Sequence, residues 1–454
     1  MKILIASWGN PFGWKEVEYV YNEQTEKLKD PLVLIKKIEN PDKVIIISVD
    51  TLADDYVYAF KNPSYNDIKS CAENLILNFC QKELKNFIPE KIIISYGFGE
   101  FNHTKFIGNA VDFYYNTFKE LAFYFANLLP EINEEIEVIF DATHGINYVT
   151  ILTYRALREI LEIFAYIYDV KLKVLNSDPF VGREAKIDRL NINVIEKSKI
   201  LPKISVYRSD KRPVEPYFLL ENERKEEIGR NIGGFIFGIS FNINEILIFL
   251  GSFLYALPVF ILSYMINPSE LKEKIEKISE EFEKNIELNN LNKLVISRNW
   301  EFRENFANLI KAYLVSSILE KSGFNKLNDI PLSKIKDLKN KVYKKFPIES
   351  NRIDKELDDI KDLQNITQQY EVYNKIKKIK GNPVLNQIEI DKRNFFAHAG
   401  FEYNTIELKK ENEEIIRIYD KNKDLAKNLI IENLQKFKRG VNYELEIKIE
   451  GNFT

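Results

Sequence analysis

The sequence predicts an α/β, Rossmann-like domain followed by a mainly α-helical one. Across the first 200 residues, five short Ile- and Val-rich runs alternate with longer segments of helical period. Strand–helix–strand repetition of this kind builds a parallel sheet with right-handed crossovers. Beyond residue 230 most apolar positions recur at helical spacing instead. The length, 454 residues, is too great for one ordinary core. The expected divisions are 1–200, 201–290 and 291–454.

The strands are expected at 2–7, 44–50, 91–97, 136–143 and 170–178, nearly unbroken apolar runs that suit burial on both faces. Helices are expected at 30–39, 65–84, 110–129 and 146–167, and the alternating stretch 16–21 predicts an extra strand. From 201 to 230 the chain is rich in charge and carries Pro202, Pro213 and Pro216, which marks a connector. Further helices are expected at 271–286, 302–319, 335–346 and 353–379, and 415–419 with 443–449 predicts a small terminal β element. No internal repeat is present.

Composition narrows the function. With 45% hydrophobic and 13% aromatic residues the chain buries a large core, which excludes wholesale disorder. Cys71 and Cys80 lie in one expected helix, too far apart to bridge, and no signal-like start precedes them, so a reducing cytoplasm is expected. Three scattered histidines and no Cys/His cluster predict no metal. Residues 1–200 carry 23 Lys+Arg against 29 Asp+Glu, and the remainder 42 against 39, a balance that argues against constitutive duplex binding. Residues 246–268 contain no charge and are long enough to span a bilayer. Pro258 within the stretch, Asn242, Asn244 and Glu245 before it and the lack of a strong Lys/Arg bias at either flank favour a buried or interface helix and no membrane.

In open α/β sheets, ligands bind beyond the C-terminal strand ends. There lie Ser7-Trp8-Gly9-Asn10-Pro11-Phe12-Gly13-Trp14, then Tyr96-Gly97-Phe98-Gly99, then Asp141-Ala142-Thr143-His144-Gly145-Ile146-Asn147-Tyr148, then Ser177-Asp178. Glycines let a ligand approach the backbone, helix N-termini favour phosphate, and aromatics offer stacking faces for bases. The first loop lacks G-x-G-x-x-G and contains Pro11, which disfavours an ordinary dinucleotide site. The candidate contacts are Ser7, Trp8, Gly9, Asn10, Trp14, Gly97, Thr143, His144, Gly145, Asn147 and Tyr148.

Late in the chain, Arg393-Asn394-Phe395-Phe396-Ala397-His398 places an arginine, an amide and one of the three histidines on a short helix, with Asp391 at its start and Gly400 at its end. Asn394 and His398 are four apart and share a face, so the amide is expected to orient the imidazole. Arg393 is five residues from His398, about 140° round the helix, so one helix cannot aim both at one atom. Lysines at 334, 336, 339, 341, 344 and 345, and at 375, 377, 378 and 380, suit either a solvated face or a track for an RNA backbone. Arg298-Asn299 is a further candidate contributor to a cleft.

Asp141-Ala142-Thr143-His144-Gly145-Ile146-Asn147 resembles the D-x-T-H-G-x-N signature of CRISPR-associated Rossmann-fold (CARF) sensor domains, and 5–11 resembles their first loop. The R-x4-H stretch is similar to the catalytic motif of HEPN ribonuclease domains. Both motifs in this order resemble the ancillary ribonucleases of type III CRISPR systems, of the Csx and Csm type. The resemblance implies metal-independent cleavage of single-stranded RNA by 2′-OH attack, with Arg393, Asn394 and His398 catalytic and two chains completing the site. It also implies a homodimer at least, and cyclic tetra-adenylate as allosteric activator, with His144 the residue to suspect if the sensor cleaves its own activator. The alternatives are a non-catalytic nucleotide-sensing regulator, with DNA binding or interaction through its helices, and a membrane-anchored nucleotide-binding protein.

Overall fold

The computed structural model describes residues 1–57, 62–179, 189–290, 292–376 and 390–436. The expected strand at 443–449 and Lys377, Lys378 and Lys380 lie outside the described residues.

The first half runs β1 (Lys2–Ser7), β2 (Val17–Tyr21), β3 (Gln24–Leu28), α1 (Leu32–Glu39), β4 (Lys43–Val49), α2 (Asp54–Val57), α3 (Tyr65–Glu83), β5 (Lys91–Ser95), β6 (Gly99–Glu100), β7 (Thr104–Ile107), α4 (Ala110–Leu128), β8 (Glu135–Asp141), α5 (Asn147–Phe164), β9 (Asp169–Ser177) and β10 (Arg189–Ile200). The main sheet has the order β3-β2-β10-β9-β8-β1-β4-β5. Its centre, β9-β8-β1-β4-β5, is all parallel. β10 adds antiparallel to β9, and the β2–β3 hairpin extends that edge.

Side chains of β1 alternate between two cores. Ile3 and Ile5 join the core with α4 and α5, while Leu4 and Ala6 join the core with α1 and α3. Burial on both faces is what a parallel sheet covered by crossover helices requires. The five expected strands and four helices all form, with ends shifted by up to three residues, and 16–21 forms β2.

The second half is mainly helical: α6 (Asn222–Gly238), α7 (Ile243–Leu254), α8 (Pro258–Tyr264), α9 (Pro268–Lys284), α10 (Glu304–Lys321), α11 (Leu332–Val342) and α12 (Pro347–Lys361). Two short helices (Tyr373–Ile376 and Lys392–Ala397), the antiparallel pair Ile406–Lys410 and Glu414–Ile418, and the helix Lys423–Asn433 follow. The apolar stretch 246–268 is broken: Ala256 takes φ 51° and Pro258 starts a new helix, and the residues of α7 from Ile246 to Phe253 are all buried. Among the described residues no single helix is long and apolar enough to cross a membrane; α6 and α7 reach that composition only as a pair bent by 67°. The helix expected at 353–379 ends at Lys361, and residues 201–230 already contain short strands and the start of α6.

The halves are stitched together. Strand Leu294–Arg298, from an antiparallel hairpin with Ile286–Asn290, pairs parallel with β7 of the first half. Residues Asn305 to Leu319 of α10 are buried on every face, against α9, α4, α7 and α5. Just before α12, Lys345 Nζ donates to the carbonyls of Ala165 (3.0 Å) and Tyr168 (2.6 Å) beyond the end of α5, and Phe346 packs on Tyr166. Lys339 pairs with Asp354 at 2.7 Å. Part of the lysine cluster is thus committed to protein contacts.

Candidate functional site

The chain leaves β1 toward β4 and β5, then returns to the other side through β8 and β9. The reversal opens a crevice between the C-terminal ends of β1 and β8, where a doubly wound sheet takes its ligand. The loops of two candidate segments meet there. Gly9 N–H donates to the His144 carbonyl at 2.9 Å, and Ser7 Oγ lies 3.3 Å from Thr150 Oγ1 on α5. A Cβ on Gly145 would fall 1.7 Å from Thr150 Oγ1 and 2.6 Å from Ser7 Oγ, and one on Gly9 would fall 2.6 Å from Ile146 Cγ2. Only glycine fits either position. Thr143 is fixed by its N–H (3.0 Å) and hydroxyl (2.6 Å), both donating to Asp141 Oδ1. Asn147 opens α5 with φ 33°, and no side chain caps that helix. Val149 N–H in its first turn donates to the Ile146 carbonyl at 2.8 Å, and no side chain competes with an anion for the N–H groups before it. Asn10 is exposed and its Oδ1 accepts from Phe12 N–H at 3.0 Å.

The aromatic residues divide by depth. Trp8 is 1% exposed, edge-on to Trp14 and Phe79, so its ring is a floor and not a free stacking face. Trp14 stacks on His144 with centroids 3.9 Å apart. Tyr148 packs with the exposed Phe98 at 4.7 Å. The His144 imidazole sits in a buried polar cluster: Nε2 is 3.0 Å from Tyr19 Oη and 3.7 Å from Asp30 Oδ2. Burial lowers its pKa to about 4, so the ring is neutral at pH 7. Burial pushes Asp141 up to about 6 and Asp30 well above the carboxylate range, with the Asp141 charge adding to the rise at Asp30.

Gly97 is buried behind the rim, its N–H donating to Asp50 Oδ1 at 2.7 Å. Arg298 is not a cleft residue. Its side chain is 1% exposed, paired with Asp50 and donating to the Gly97 carbonyl, because the hairpin carrying it is inserted against β7.

In the second half, Asp391 caps the helix Lys392–Ala397 by accepting from Asn394 N–H at 2.7 Å. Phe395 is buried edge-on against Phe260, and Gly400 (φ 83°) turns the chain beside that ring. The helix is thereby pinned with Arg393 and Asn394 exposed. The expected Asn394–His398 side-chain pairing does not form. His398 is the C-cap of the helix, and only its backbone N–H reaches Asn394, donating to that residue's carbonyl. The ring is held from outside: Nδ1 lies 2.7 Å from Oε1 of buried Glu356 on α12. One turn earlier, Arg352 donates to the carbonyls of Phe396 (2.8 Å) and Tyr255 (2.6 Å). Glu402 is pushed up to about 7 by burial.

A family model described as CRISPR system endoribonuclease Csx1, CARF domain, matches residues 3–179, and one described as CRISPR system endoribonuclease Csx1, HEPN domain, matches residues 346–421. The curated CRISPR system endoribonuclease Csx1 of Methanocaldococcus jannaschii is 32% identical over 425 residues, spanning 90% of this chain and 86% of that protein. The chain belongs to the Csx1 family. The Csx1 CARF match takes in the whole crevice between β1 and β8, and the HEPN match takes in α12 together with the Arg393–His398 segment. Enterococcus italicus Csm6 bound to cyclic hexa-2'-fluoro-hexa-dAMP aligns over 95% of this chain and 99% of that one, at 11% identity and a TM-score of 0.23, a likeness too slight to carry weight.

Within this Csx1-family chain, sequence reading missed Tyr19 and Asp30 beneath His144, and Arg352 and Glu356 beneath the HEPN motif. Arg352 and Glu356 are four apart on one helix, but no local pattern says what that helix faces.

Proposed function

We propose that this chain is a cyclic-oligoadenylate-activated, metal-independent endoribonuclease that cleaves single-stranded RNA in type III CRISPR defence. The observation that carries the reading is one chain holding a CARF crevice and a HEPN Arg393–His398 segment whose polar side chains stand at the surface. In the reaction the ribose 2′-OH attacks the adjacent phosphorus, the P–O5′ bond breaks, and a 2′,3′-cyclic phosphate and a free 5′-OH result. His398 moves the proton, a role worth about 10²–10⁴-fold. Arg393 neutralises the charge that builds on the phosphoryl oxygens and stays protonated throughout. Asn394 bonds a phosphate oxygen.

Two copies face each other across a two-fold axis, so that the Arg393 and His398 of both chains surround one phosphate. Cyclic tetra-adenylate lies across the same axis on the other half. Its phosphates meet Gly9, Gly145 and the uncapped start of α5, its bases meet Trp14 and Tyr148, and Ser7, Asn10, Thr143 and Asn147 complete the polar lining. Activation follows because the ligand binds one of two dimer states more tightly.

The test is cleavage of a labelled single-stranded RNA in EDTA, with and without cyclic tetra-adenylate, by wild type and His398→Ala. Activator-dependent cleavage that falls at least about 10²-fold in the variant, with ligand binding intact, is expected. Undiminished cleavage by His398→Ala would move the active site elsewhere.

A further inference from the structure

We propose that Glu356 is a positioning residue for the His398 imidazole, holding Nδ1 toward the protein so that Nε2 faces the RNA. The inference rests on the reading that His398 moves the proton. Its geometric basis is independent of that reading: Glu356 Oε1 is 2.7 Å from Nδ1, on a side chain 4% exposed, while the imidazole is 34% exposed. The ring is thus anchored at Nδ1 while about a third of its side chain stays open to solvent. A carboxylate is costly to bury unless it is paired and hydrogen-bonded. α12 also carries Arg352, one turn away, which feels the Glu356 charge while its guanidinium donates to the Phe396 and Tyr255 carbonyls. The helix therefore divides its two charges: the cation fixes the backbone of the catalytic segment, and the anion fixes its ring.

The arrangement has a chemical consequence. With Nδ1–H donating to Glu356, the neutral ring carries its lone pair on Nε2, the atom that accepts a proton from the 2′-OH. The carboxylate also stabilises the imidazolium formed when that proton arrives. Asn394 lies four residues away but its amide makes no such contact with the ring, so the orienting group comes from 42 residues earlier. The other titratable groups near the ring are Glu402, which interacts electrostatically with it and with Asp391, and Tyr403, whose ring centroid lies 6.4 Å away.

Glu356→Gln in the full-length chain keeps an acceptor and removes the charge. The expected result is a kcat lowered by between about tenfold and 10⁴-fold, the upper bound being the effect of neutralising the orienting carboxylate of a Ser-His-Asp triad. KM for RNA and the thermal midpoint should stay near wild type, a split between kcat and KM that a merely structural role would not give. Glu356→Asp, which keeps the charge on a shorter arm, should lower kcat less than Glu356→Gln does. A second readout needs no turnover: the chain has three histidines, so ring resonances are assignable with His398→Ala as reference. Only the His398 ring resonances should shift in Glu356→Gln. A kcat and ring resonances that match wild type would overturn the assignment, as would loss of fold in both variants, which would make Glu356 purely structural. Full activity of His398→Ala would instead sink the catalytic reading and leave the ring resonances to report whether Glu356 holds the ring.

Discussion

A single added methyl group tests the crevice. Gly145 sits so close to Thr150 Oγ1 and Ser7 Oγ that a Cβ would force those side chains to move. Gly145→Ala should weaken cyclic tetra-adenylate binding by between about fivefold and 10²-fold, since such overpacking typically costs about 1–3 kcal/mol. Adding Thr150→Ala removes the nearest obstacle and should recover part of the loss, as read by calorimetric titration. Equal affinity of Gly145→Ala and wild type would mean that the ligand does not sense this turn. The motif residues were legible from sequence because their chemistry is local: one turn carries Asp141 to Tyr148, and one short helix carries Arg393 to His398. Their supports were not legible. Glu356 reaches His398, and Asp30 reaches His144, only after the chain has folded.

At the level of elements, α4 and the second half share a buried carboxyl. Asp112, in the first turn of α4, accepts from the N–H of Phe302 at 2.8 Å, and burial raises its pKa to about 7. Between the ordinary carboxylate range and that value, the folded chain binds a proton that the unfolded chain has released. Stability from this group is therefore present at low pH and lost as pH rises through about 7. Asp112→Asn should flatten the fall in thermal midpoint between pH 5 and 8 by a few degrees; parallel slopes for the two proteins would contradict this. Element types read well from sequence where apolar period and end signals agree, as over α3, whereas the uncharged stretch read as one buried helix is split at Pro258 into α7 and α8. They read poorly where period alone was available. Residues 362–379 continue the charged, intermittently apolar texture of α12, but the helix stops at Lys361 and the chain later pairs Glu371–Val372 with Ile406–Lys410.

For the molecule as a whole, the parallel order of the sheet followed from five buried strand runs and the crossover rule, but the seam between the halves did not. Strand Leu294–Arg298 carries ordinary alternation, and nothing local says that it will travel back to β7. That seam limits how far the protein behaves as interchangeable cassettes. A chain cut after residue 200 would strip β7 of one of its two neighbours, leaving only β6, unpair Asp50 from Arg298, and bare the flank of α4 that packs on α10. Open edges and apolar faces of this kind invite association. Such a fragment should elute as aggregate, and one extended through residue 302 should elute earlier than a monomer less often. A chimaera that borrows this sensor for another effector therefore has to place its junction beyond the hairpin, with Asp50's distant arginine travelling as part of the sensor.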